Sequence, residues 1–233
     1  MRLRLSIDLV MTILMLLAFA YQLTGNMAHE FIGFSMALIF LSHNTFNYRW
    51  YTALTKITYS PTVITRSIIN IILLSITVML TISGILNSHI IFSRPQTEGY
   101  LATRQFHTLM AYWFLILSSL HLGMHWKMIM AFVWRRTGIA WTGHSRTNFL
   151  RILSVSIAVC GAISSFDRGI LSKLTAEYSF DYWNFDEFTM GFFAEYIAIM
   201  GMYSCFAYYA LKLFKKLAQP RAPSIERRSR RHE

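Results

Sequence analysis

Long apolar runs separated by short polar stretches dominate this chain. A helix crosses a bilayer core with about 20 predominantly apolar residues. Six runs have this character: residues 5–23, 29–48, 67–89, 106–134, 149–166 and 190–214. The pattern predicts an all-α integral membrane protein, a transmembrane bundle of about six helices. Arg2 and Arg4 precede the first run, and Ala18-Phe19-Ala20 near its end has the form of a signal-peptide cleavage site. The run is nevertheless expected as a retained helix.

Composition agrees. Hydrophobic residues make up 55% of the 233 positions and charged residues 14%, against about 25% charge in soluble domains. The 15% aromatic content excludes disorder. The formal charge of +11 raises nucleic acid as a partner. The basic residues, however, cluster between apolar runs, which fits membrane anchoring and no nucleic acid. Cys160 and Cys205 both lie in apolar runs and read as packing residues. No CxxC or CxxCH occurs, so neither a zinc ribbon nor a covalent c-type haem is indicated.

Charge also orients the bundle. With the N-terminus in the cytoplasm, 18 of the 22 Lys and Arg fall on the inner side, leaving Arg94, Arg104, Arg168 and Lys173 outside. The positive-inside rule then puts both termini in the cytoplasm. The longest connection, 167–189, mixes Tyr178, Phe180, Tyr182, Trp183 and Phe185 with acids. It reads as an interfacial segment with its rings among lipid headgroups; a docking surface for an external partner is the alternative. Residues 212–233 are basic and suit anionic lipid. Three regions follow: 1–134, a four-helix core; 135–214, two further helices and the external loop; and 215–233, a basic cytoplasmic tail.

Histidine carries the candidate chemistry. Ligand-capable side chains inside a membrane are costly and point to function. His29 and His43 stand 14 residues apart in the second run, and His107 and His121 stand 14 apart in the fourth. Fourteen residues turn through about 1400°, nearly whole turns, and rise about 21 Å. Each pair therefore shares a helix face and divides into two layers. The second and fourth runs cross in the same sense. His29 can thus meet His107 at the outer level, and His43 can meet His121 at the inner level. Four imidazoles in two layers suit two haem irons, each held by two axial nitrogens. Such irons have no open position and serve electron transfer. Gly33 and Ala111, four residues after the outer histidines, leave room for a flat macrocycle.

Other readings use the same residues. Histidines can act as polar glue between helices, leaving a non-catalytic membrane anchor. They can also line a transition-metal path. A metal site usually gathers three or four ligands at one level, whereas these layers lie about 21 Å apart.

The segments themselves look familiar. His29-Glu30-Phe31-Ile32-Gly33 and His43-Asn44-Thr45-Phe46-Asn47-Tyr48-Arg49-Trp50-Tyr51 resemble the HExxG…HxxxNxxWY pattern of the bacterial flavinylation-associated cytochrome family. His107 to Trp113 and Ser119 to Trp126 resemble that family's second signature. The resemblance covers roughly residues 1 to 134. It implies a di-haem cytochrome b in the bacterial inner membrane, akin to the b-type subunits of hydrogenases and formate dehydrogenases. It further implies two haem b groups ligated by His29, His43, His107 and His121. Electrons would pass between quinone or quinol and a redox protein partner, flavin- or haem-bearing. Where many relatives carry a second His beside the position of His43, this chain has Ser42.

Further residues attach to this reading. His125 is the alternative inner ligand, although its spacing of 18 from His107 matches the layers less well. Arg104, one turn before His107, is placed for an outer propionate, and Arg49 and Lys127 for inner ones. His89 reads as an interfacial residue, with contact to a quinol as the alternative. His144 and His232 fall in basic stretches and read as solvated.

Overall fold

The computed structural model describes residues 2–54, 60–93, 98–138, 144–177 and 189–217. Every element among them is a helix: α1 Arg2–Phe19, α2 Tyr21–Phe46, α3 Arg49–Leu54, α4 Pro61–Leu86, α5 Tyr100–Thr137, α6 His144–Asp167, α7 Ile170–Leu174 and α8 Thr189–Leu217. Four are long and apolar enough to cross a membrane: α4, α5, α8 and the 148–167 part of α6. The protein is an all-α, multi-pass membrane protein.

The first two expected spans form helices but fall short of that standard. α1 carries three charges, Arg2, Arg4 and Asp8, in 18 residues, and the apolar run of α2 is interrupted by Asn26, His29, Glu30, His43 and Asn44. α1 ends short of its expected run, and the break at Gly25 falls inside the expected connection, 24–28. α1 ends at Phe19, and Gly25 has φ 75° and ψ 172°. That conformation costs a residue with a Cβ dearly and glycine little. It swings the chain back one turn before His29. α5 exceeds its expected bounds at both ends, because Tyr100 to Gln105 and Arg135 to Thr137 continue the helix.

Two subassemblies make up the bundle. In one, α5, α6 and α8 pack side by side and α4 lies on α5. Apolar burial drives helix association weakly in lipid, so close backbone approach and polar contacts carry more of it. A Cβ on Gly123 of α5 would collide with the Ser204 carbonyl of α8. A Cβ on Gly161 of α6 would collide with the Ala198 carbonyl. The Ser204 hydroxyl donates to the Ser119 carbonyl at 2.8 Å, away from solvent. Leu115 and Ile199 are fully buried. Tyr112 and Tyr196 meet hydroxyl to hydroxyl at 3.2 Å.

The second subassembly is the α1–α2 hairpin, which touches α4 only sparsely. Met15 and Phe19 anchor it. The Ser118 hydroxyl donates to Met15 Sδ at 3.4 Å, and the Phe19 ring lies 5.3 Å from Tyr112 and 5.2 Å from Tyr196.

The start of the expected external loop is ordered as α7. Gln105 donates to the Ala176 carbonyl at 2.7 Å. The Lys173 ammonium lies 4.9 Å from the centre of the Tyr112 ring, and Arg168 pairs with Glu195. The aromatic stretch 178–188 and the tail beyond Leu217 lie outside the described residues. Large apolar side chains such as Val155, Val159, Ile163 and Phe166 of α6 are exposed, as suits a lipid-facing surface.

Candidate functional site

α2 and α5 run in the same sense and bring their histidines to two common levels. At the first, the His29 and His107 rings have centres 6.2 Å apart and planes at 77°. At the second, His43 of α2 approaches Asp8 of α1, while His121 and His125 of α5 have ring centres 4.7 Å apart. His43 and Asp8 lie within electrostatic reach of both.

Each of the four spaced histidines has its Nδ1 against an oxygen on a neighbouring helix. His29 Nδ1 lies 3.0 Å from the Ala18 carbonyl. His43 Nδ1 lies 2.8 Å from Asp8 Oδ1, at ion-pair distance though not along a well-directed hydrogen bond. His107 Nδ1 lies 3.0 Å from Ser83 Oγ, and His121 Nδ1 lies 2.8 Å from Asn70 Oδ1. α1 thus serves both histidines of α2, and α4 serves both of α5. Antiparallel pairing explains the regularity, since Asn70 and Ser83 stand 13 apart on α4, opposite His121 and His107 on α5.

These partners fix the tautomer. A carbonyl and an amide oxygen only accept, so His29 and His121 carry the proton on Nδ1; in His43 the Asn47 amide donates to Nε2, which leaves the proton on Nδ1. Ser83 Oγ is also 3.0 Å from the Leu80 carbonyl, and with its hydroxyl proton donated there it accepts from His107. Nε2 is left with the lone pair in all four rings. In His29, His107 and His121 the arrangement, Nδ1–H held by an oxygen and Nε2 open, is the usual one for a metal-ligating histidine. Among the described residues, Nε2 of His29, His107 and His121 makes no hydrogen bond; that of His43 lies 3.3 Å from the Asn47 amide. His125 makes no hydrogen bond to a described residue, and nothing sets its tautomer.

Ring separations add a second test. A ligating nitrogen sits roughly 2.0–2.1 Å from its metal and the ring centre about 1.1 Å beyond, so rings on opposite sides of one iron are about 6.3 Å apart. The His29–His107 spacing of 6.2 Å fits. It also falls within ordinary edge-to-face contact, so the tautomer pattern carries more weight. The 4.7 Å between His121 and His125 is too short for both to flank one iron. The donor set of the first level therefore fits a bis-imidazole haem.

Glu30 locks the first level in place. Its carboxylate accepts from the Ser88 hydroxyl at 2.6 Å and from the backbone N–H groups of His89, Ile90 and Ile91 at 3.0, 3.0 and 3.1 Å. Asn26 donates to it at 2.9 Å. A carboxylate in such a nest of amides is strongly held. Because Glu30 follows His29 directly, the clamp sets the height of His29 against the end of α4. Gly84 works on the other ring, where a Cβ would stand 3.3 Å from His107 Cε1.

The remaining expected residues are scattered. Arg104 is exposed three residues before His107. Arg49 is exposed in α3, with its guanidinium 6.0 Å from the Tyr48 ring. Lys127 faces a different seam, where it lines a cavity with Arg66 and residues of α8. His89 sits at the end of α4 against the Tyr100 ring at 5.3 Å. Gly33 has open space where its side chain would be. The side chain of His144 and all of His232 lie outside the described residues. Sequence reasoning overlooked Asp8, Asn70 and Ser83. Asp8 carried a usable signal, being an isolated acid in an apolar run. Comparison with protein-family models, curated proteins and solved structures finds no match to this chain.

Proposed function

We propose that this protein is a six-helix di-haem cytochrome b that relays electrons between the quinone pool and a redox partner at the membrane surface. The observation that carries this reading is the setting of the spaced histidines: His29, His107 and His121 have Nδ1 bonded to an oxygen and Nε2 free of described partners, and His43 has Nδ1 beside Asp8. His29 and His107 would hold one haem, and His43 and His121 the other. Haem bound in this way supplies one-electron redox chemistry with no open position for substrate.

The chain's own residues do the positioning. Ala18 and Ser83 orient the first pair; Asp8 and Asn70 orient the second. Arg104 and Arg49 stand near the bundle ends as cations for propionates. In this reading α1 and α2 cross the membrane with the other four helices. Positive-inside counting places both termini in the cytoplasm.

Haem content and the visible spectrum of the purified protein test the proposal. The expected result is a reducible b-type α-band and about two haems per chain by pyridine haemochrome. A colourless protein with stoichiometric zinc or copper would replace it with a metal path. A colourless protein binding neither would leave a structural anchor.

A further inference from the structure

At the end of the bundle where α4 begins and α8 finishes, a cavity of about 560 Å³ opens between α4, α5 and α8. Its charged lining residues are Arg66, Lys127, Lys212, Lys215 and Lys216. No acid stands among the described residues that line it. Arg66 is tied down, since Nη2 donates to the Met124 carbonyl at 3.3 Å, while its Nε is shut off from solvent without a partner. Five like charges around one concavity repel one another, and a buried guanidinium nitrogen without an acceptor costs more than an exposed one. A multiply charged anion relieves both. Met124, Leu211 and Leu213 supply an apolar wall, which a small aqueous anion has no use for and an acyl chain does. The volume lies within the usual range for small-molecule sites.

We infer that this cavity binds the phosphate headgroup of an anionic phospholipid, preferably one with more than one negative charge. Basic pockets between membrane helices recognise such lipids through the same chemistry. This inference is independent of what the histidines bind.

The test uses the full chain, delipidated in detergent and titrated with diphosphatidylglycerol, phosphatidylcholine or inorganic phosphate. Bound lipid is counted by native mass spectrometry, and thermal unfolding is followed in parallel. Diphosphatidylglycerol should stay bound and raise the unfolding temperature; the other two should not. The double variant Lys127→Gln/Lys212→Gln should bind it about 25-fold more weakly, at roughly a factor of five per basic residue. Lys127→Arg/Lys212→Arg should retain it and shows that the lysine positions tolerate substitution. Arg135→Gln/Arg136→Gln, at the end of α5 outside the cavity, should lose less than the cavity variant. Equal protection by inorganic phosphate or phosphatidylcholine would overturn the inference. So would undiminished binding by the glutamine variant at Lys127 and Lys212, or an equal loss in the control pair.

Discussion

The α5–α8 seam and the α1–α2 hairpin are built on different principles. α5 has nine buried residues and α2 has none. At the first seam, Gly123 lets two backbones touch and a buried hydroxyl bridges them. The hairpin meets the rest of the bundle through a small apolar contact around Met15, Phe19, Ala20 and Met36 and through the Glu30 clamp. Both histidine levels lie along this looser boundary. The difference teaches that rigidity and accommodation are segregated: the tight half supplies a fixed wall, and the hairpin closes over whatever the imidazoles hold.

The comparison is broken most severely at Gly123. Gly123→Val would drive a branched side chain into the Ser204 carbonyl. Overpacking costs about 1–3 kcal/mol in tolerant cores, and a backbone partner cannot retreat like a side chain. The expected outcome is the largest fall in unfolding temperature among these variants, with both histidine levels lost together. Near-native thermal unfolding would show that the close approach does not exist.

Glu30→Ala tests the hairpin alone. It removes the shared acceptor of three backbone N–H groups and a hydroxyl. Because the clamp is partly solvated, water replaces some of these bonds, and about 1–2 kcal/mol is expected rather than the sum. Hydrogen exchange should speed up in α1 and α2 and stay slow in α5 and α8. Haem should be lost from the His29–His107 level first. Uniform acceleration along the chain would mean that the two subassemblies are one cooperative unit.

Asn70→Leu is the gentlest change. It keeps the branched outline and the number of heavy atoms and removes the acceptor for His121 Nδ1. Loss of such an outer partner typically weakens ligation about 10- to 100-fold. Haem retention under dilution should fall at the His43–His121 level and be unchanged at the other. Equal loss at both levels would sever the link between Asn70 and one layer.

Much of this was legible in the sequence. Helical periodicity with the 14-residue spacing placed His29 and His107 on facing surfaces, because an α-helix converts spacing into depth and azimuth. The same arithmetic put His43 at the level of His121. What it did not reveal was the partners, since Asp8, Ala18, Ser83 and Asn70 lie on other helices and no pattern within one helix records antiparallel register. Hydropathy was similarly double-edged. The polar residues that build the site, Asp8, His29 and His43 among them, also interrupt the apolar runs of α1 and α2. Lys127 shows the limit of reasoning from proximity along the chain: two residues from His125, it points into another seam.

The claim at the centre is that four Nε2 atoms, two per level, each have an iron to bind. Haem stoichiometry of the purified single variants tests it most directly. His107→Ala and His121→Ala should each retain one haem per chain, their double variant none, and His125→Ala two. Two haems in His121→Ala with one in His125→Ala would contradict the assignment of the second level, and no haem in the unaltered protein would contradict the claim entirely.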